Sequence, residues 1–149
     1  MPSISHSFVV DYQQQLVWVL LTNFESFGPQ LPHVVSVKYL DEERKESKWT
    51  VKGSVGPVTK AFNIIVKITE KSPTGFLAFQ GEGDGLKISG KAAAEAMSQY
   101  QTKVSINLEI EASSGIIGSI VNHVIESELP QDIMKSEDKI RELLREIIS

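Results

Sequence analysis

Ile4, Phe8 and Val10 fall on one side of an alternating stretch over residues 3–11, which predicts a strand. Over residues 13–22 the spacing changes: Leu16, Val17, Leu20 and Leu21 recur at helical steps, and Asp11 stands where it could cap a short helix. Residues 25–30 predict a second short helical turn, closed by Gly28-Pro29 and Leu31-Pro32. From residue 34 the pattern is that of strands, over 34–40, 48–55, 58–71, 75–83, 86–97 and 102–112. The breaks between them carry turn chemistry, among them Gly56-Pro57, Ser72-Pro73-Thr74-Gly75 and Gly83-Asp84-Gly85. Links this short suit antiparallel hairpins, because parallel strands need long crossovers. In the last strand Val104, Ile106, Leu108 and Ile110 share one face and Ser105, Asn107, Glu109 and Glu111 the other, so one face of the sheet is dry.

After Ser113-Ser114-Gly115 the period becomes helical again. Ile117, Ile120, Val121, Val124, Ile125, Leu129, Ile133, Ile140, Leu143, Leu144 and Ile147 trace one apolar stripe. A helix over residues 117–148 would be about 48 Å long. Pro130 interrupts it, and an internal proline loses a hydrogen bond and crowds the preceding turn, so a bend is expected in one continuous helix. The result is one α+β domain over residues 1–149: a curved antiparallel seven-stranded sheet around a long C-terminal helix, with two short helices after the first strand.

A curved sheet and a rod meet along only part of their length, which leaves room for an apolar ligand. The stretch 86–97 puts Ile88, Gly90, Ala92, Ala94 and Ala96 on one face, four of them small. Either that face turns inward and opens a cavity, or a helix lies close against the alanines; the pattern leaves both open. The candidate ligand contacts are Phe27, His33, Trp49, Val51, Phe62, Ile64, Ala92, Ala94, Ile106, Ile120 and Val124, most of which are also ordinary core residues.

Composition narrows the chemistry. Hydrophobic residues make up 41% and charged residues 23%, enough for a real core without disulfides or metal. There is no cysteine, which removes thiolate catalysis, iron–sulfur clusters and the common zinc sites. The formal net charge of -4 gives no basic footprint for nucleic acid. The N-terminus, Met-Pro-Ser-Ile-Ser-His, does not read as a signal peptide and no window is long and apolar enough to span a membrane, so a soluble cytoplasmic protein is expected.

The three histidines, His6, His33 and His123, show no metal-ligand spacing, and no cofactor is expected. His33 sits at a helix–strand junction near the expected pocket rim, where an exposed loop histidine is the plainer reading. His123, on the edge of the stripe, could reach a ligand head group. Gly81-Glu82-Gly83-Asp84-Gly85 lacks the last glycine of a dinucleotide loop and no helix follows it, so it reads as a hairpin turn. The inward positions are nearly all apolar, which leaves no acid–base set beyond a pairing of His33 with Tyr39 or Glu95. Pairs such as Glu137 with Arg141 read as a solvated helix face.

Phe8-Val9-Val10 followed by Leu16-Val17-Trp18-Val19-Leu20-Leu21, then Gly81-Glu82-Gly83, Gly90-Lys91-Ala92, Thr102 and Gly115-Ile116-Ile117-Gly118, resemble in order and spacing the SRPBCC (START/Bet v 1-like) superfamily. Within it they resemble the CoxG family of carbon monoxide dehydrogenase subunits. Leu31-Pro32-His33-Val34 stands where that family shows a Pro-Gly pair, so His33 departs from the pattern. The resemblance covers nearly the whole chain. It implies a helix-grip fold, a hydrophobic cavity suited to lipid- or quinone-like molecules, and a role as accessory subunit of a molybdenum hydroxylase.

The leading expectation is therefore non-catalytic binding of a hydrophobic small molecule. A polyketide cyclase-like or hydrolase-like enzyme on the same fold is the alternative. A third is a module whose exposed aromatic loop, Phe24-Glu25-Ser26-Phe27, docks on a partner enzyme or a membrane surface.

Overall fold

The computed structural model describes residues 3–113 and 115–148, with side chains through residue 147. Met1-Pro2 of the N-terminal reading, Ser114 of the break before the helix, and Ser149 lie outside the described residues.

Seven strands form one fully antiparallel sheet in the order β1-β7-β6-β5-β4-β3-β2. They are β1 (Ser3–Val10), β2 (Val34–Tyr39), β3 (Glu46–Val55), β4 (Val58–Ser72), β5 (Phe76–Gly83), β6 (Leu86–Ser98) and β7 (Gln101–Ala112). Strands β2 to β7 meander by hairpins and β1 joins β7, so β1 and β2 are the two edges. Register slips at Val34/Ser36, Ile68/Glu70 and Ala96/Ser98 add bends to the ordinary twist and curl the sheet into a half-barrel. The Gly83-Asp84-Gly85 turn is a hairpin, with Asp84 and Gly85 both at positive φ.

Two short helices, α1 (Gln14–Thr22) and α2 (Phe24–Phe27), lead from one edge of the sheet to the other. Asp11 does not cap α1. The cap position is Gln13, without a side-chain bond, and Asp11 instead accepts from Gln101 Nε2 at 3.2 Å. The helix is fixed from its first turn by Gln14, whose Nε2 donates to the carbonyls of Thr74 and Ala94 at 2.6 and 3.0 Å. The Thr102 hydroxyl, fully buried, closes the same corner on the Tyr12 carbonyl at 2.8 Å.

The C-terminal helix is continuous but not uniform. It consists of α3 (Gly115–His123), a π turn (Val124–Glu128) and α4 (Leu129–Ile148). The helix departs from regular geometry one turn upstream of Pro130, in that wide turn, where Leu129 N–H bonds back to Val124 O. Widening places Pro130 in the first turn of α4, where its missing N–H costs little.

The core is in two parts. One cluster joins Val10, Val17, Trp18, Leu20, Phe27, Leu77, Ala94 and Val104 to Ile140 and Leu144 near the end of α4. The other joins Phe62, Ile64 and Leu86 to Ile120 of α3. The helix is thus gripped at both ends, and its middle belongs to neither cluster.

Candidate functional site

Between the two clusters the dry face of the sheet stays accessible. Trp49, Ile106 and Leu108 alternate in phase with buried neighbours, so they face inward, yet each is only half-buried and joins neither cluster. Val124, Leu129 and Ile133 are in the same state on the helix above them. These partly buried inward groups mark the middle of the sheet–helix contact as its least tightly packed stretch.

The eleven candidate contacts divide accordingly. Phe27, Phe62, Ile64, Ala94 and Ile120 are buried within the clusters. Val51 packs on the edge of one cluster and Ala92 on the edge of the other. Trp49, Ile106 and Val124 are partly buried outside both clusters, Trp49 beside Phe24 and Val124 over Gly53, while His33 lies in a separate groove. The small-residue face of β6 does turn inward, and neighbouring groups lie close against it. Helix α1 covers Ala94, and across Gly90 the side chains of Phe79 and Leu108 lean in, 2.5 and 2.7 Å from where a Cβ would stand.

The aromatic loop is not a docking surface. Phe27 is 7% exposed and Phe24 packs on the same cluster, its ring 5.8 Å from that of Trp49. Tyr39 lies alongside; its hydroxyl accepts from Phe24 N–H at 2.8 Å and donates to Thr22 O at 2.9 Å. Burial pushes this phenol above its ordinary value, against the lowering effects of the Phe24 bond and of Arg44. Tyr39 is therefore structural, Glu95 is exposed, and neither forms a set with His33.

Histidine–carboxylate contacts that sequence spacing did not reveal appear towards both edges of the sheet. His6, on the inward side of β1, meets Glu137 of α4 at 3.2 Å. Glu137 also pairs with Arg141 at 3.6 Å, whose guanidinium donates to Val9 O and lies over Phe8. So Glu137 is not on a solvated face; it ties the helix to the β1 edge. On the β2 side, His33 Nε2 lies 2.7 Å from Asp132 and 3.1 Å from Glu128. His33 is thus not a free loop residue. It joins Gln30, Leu31 and Pro32 in walling a groove of about 740 Å³ against the α4 face that carries Asp132 and Lys135. The signal that could have pointed here is the Glu128/Asp132 pair, four apart on one helical face.

Residues 7–145 match the family described as CoxG, a subunit in carbon monoxide dehydrogenase. The chain belongs to the CoxG family. Its fold is that of the START-like proteins. A START superfamily protein from Mycobacterium smegmatis superposes with TM-score 0.74 at 14% identity, over 95% of this chain and 98% of that one. A conserved protein from Geobacillus kaustophilus gives 0.74 at 15% identity, over 97% and 96%. The Zhui aromatase/cyclase from Streptomyces sp. R1128 gives 0.72 at 11%, over 99% and 96%. At these identities the likeness concerns the fold alone. No curated protein matches the chain in sequence. Among the described residues no helix is long and apolar enough to cross a membrane.

Proposed function

We propose that this CoxG-family chain holds a lipid- or quinone-like molecule between its sheet and the middle of its C-terminal helix, without transforming it. The observation that carries this reading is the split core: two packed clusters grip the helix ends, and the inward apolar groups between them are only partly buried. Seating an apolar molecule there would remove further apolar surface from water at roughly 25 cal/mol per Å². The family name supports service to a carbon monoxide dehydrogenase, a molybdenum hydroxylase, as the partner enzyme. In that role the chain supplies a carrier or accessory surface rather than the reaction.

The test is native mass spectrometry of the purified chain before and after organic extraction, followed by titration with a short-chain naphthoquinone and a fatty acid. A co-purifying apolar adduct, or saturable one-to-one binding of either probe, is expected. A protein that carries no adduct and binds neither probe overturns the reading.

One observation favours a second reading, an enzyme of the cyclase or hydrolase kind: the inward-facing His6–Glu137 pair is the histidine–carboxylate combination that acid–base chemistry uses. The Arg141 contact to Glu137 weighs against it, since it uses that carboxylate to fasten the helix. Turnover of a polyketide-like substrate that is abolished by His6→Gln would favour the enzyme.

A further inference from the structure

We infer that His33, Glu128 and Asp132 form a binding site for a divalent first-row transition cation, separate from the proposed apolar site. Nε2 of His33 and one carboxylate oxygen from each acidic residue lie within 4.8 Å of one another. The His33 distances of 2.7 and 3.1 Å bracket the spacing of neighbouring ligands in an octahedral shell, about 3 Å for bonds near 2.1 Å. One imidazole and two carboxylates suit zinc, manganese, cobalt or nickel. Three protein ligands at the wall of a groove leave the remaining positions to water or a bound anion.

The orientation of the ring is the second argument. Nδ1 of His33 lies 3.1 Å from the carbonyl of Lys52. A carbonyl only accepts, so Nδ1 faces it as a donor and leaves Nε2 facing the two carboxylates. Two carboxylates set against one ring nitrogen call for a positive centre between them, which a bound cation supplies in place of a proton on Nε2. A backbone carbonyl on the far nitrogen is also how ligating histidines are commonly held.

The backbone on both sides is shaped to this arrangement. His33 has φ of 70°, the left-handed region that favours glycine, at the place where the family resemblance puts the glycine of a Pro-Gly pair. A histidine there costs strain that a glycine would not, and its ring reaches both carboxylates. Opposite it, Glu128 closes the π turn and Asp132 follows one α-turn later. The wide turn brings His123, five residues before Glu128, to 3.8 Å from that carboxylate, so a second imidazole stands next to the site. Asp138 and Glu142 line the same groove, Lys139 being paired with Glu142 at 3.4 Å, so its acidic groups outnumber its lysines and favour a cation.

The test uses the full chain, stripped with a chelator and titrated with Co²⁺ by calorimetry and visible absorption, then with Zn²⁺ in competition. One ion per chain is expected, with affinity lowered at least tenfold by Asp132→Asn and by His33→Asn. Asparagine tolerates the left-handed backbone, so the second variant should fold, and circular dichroism checks that both do. His6→Asn, on the opposite edge of the sheet, should bind as the parent does. Absence of saturable binding overturns the inference, as does binding that persists in both ligand variants. Because the readout is the metal alone, failure here leaves the apolar-ligand test unaffected.

Discussion

The split core makes a quantitative demand on two isoleucines that sequence pattern treats alike. Ile120 is 2% exposed, packed with Phe62, Ile64 and Leu86, with its Cγ2 over Gly53. Ile106 points inward from β7 but is only partly buried and in neither cluster. Truncation to alanine removes the side chain beyond Cβ, worth about 2.4 kcal/mol at ~0.8 kcal/mol per buried methylene-sized group. At Ile120 a cavity term adds to this, so Ile120→Ala should cost about 3–5 kcal/mol. At Ile106 most of the transfer term applies but little cavity term is added, so Ile106→Ala should cost about 2 kcal/mol. Urea unfolding of extracted protein, followed by far-UV circular dichroism and by Trp18 and Trp49 fluorescence, gives both values if the m-values agree. Adding an apolar ligand should widen the loss at Ile106 and leave that at Ile120 unchanged. Equal losses of about 3 kcal/mol or more in extracted protein would mean that β7 and the helix pack directly, with no room for an apolar ligand.

Tyr39→Phe removes the hydroxyl that serves Phe24 N–H and Thr22 O, at about 1–2 kcal/mol in urea unfolding. Because burial raises the folded value above 10.0, the phenol's protonation contributes stability fully below about pH 10, lost as pH rises through the folded value; thermal melts across that range should lose this component in the variant. Gly53→Ala sets a Cβ 2.7 Å from the stiff Ile120 side chain and should cost about 1–3 kcal/mol, whereas Gly118→Ala, with nothing within 4 Å, should gain about 0.5–1 kcal/mol from helix propensity in the same assay.

Most of the fold is visible in period alone. Alternation over β7 and the three- and four-residue steps from Ile117 to Ile147 are local properties, and the short turns leave little choice but an antiparallel meander. What period cannot give is which inward residues are packed and which only face inward. Phe62 and Trp49 have the same kind of pattern in neighbouring strands, yet one is 3% exposed and the other is only partly buried, outside both clusters. The difference depends on where the two ends of the helix touch the sheet, a property of the assembled molecule. The aromatic loop misled for the same reason: Phe24 and Phe27 look exposed in a short polar-flanked stretch, but α2 folds them onto Trp49 and the β2 edge. His33 meets Asp132 across 99 residues of sequence, beyond the reach of any spacing rule.

Pro130 connects these features. A regular helix would have needed its N–H; the π turn at Val124–Glu128 absorbs that loss, and it does so in the one stretch of helix that neither core cluster holds. The same turn sets Glu128 against His33 and His123 and leaves Val124 and Leu129 partly buried outside both clusters. An opening confined to residues 124–133 would break the His33 contacts and expose the proposed apolar site while leaving Ile120 and Leu144 seated in their clusters. Such a local opening costs less than unfolding, because the buried apolar contacts that dominate stability lie at the two ends. A cation joining His33 to Glu128 and Asp132 would then act on the segment that covers the apolar space, fastening it from the side opposite the His6–Glu137 tie.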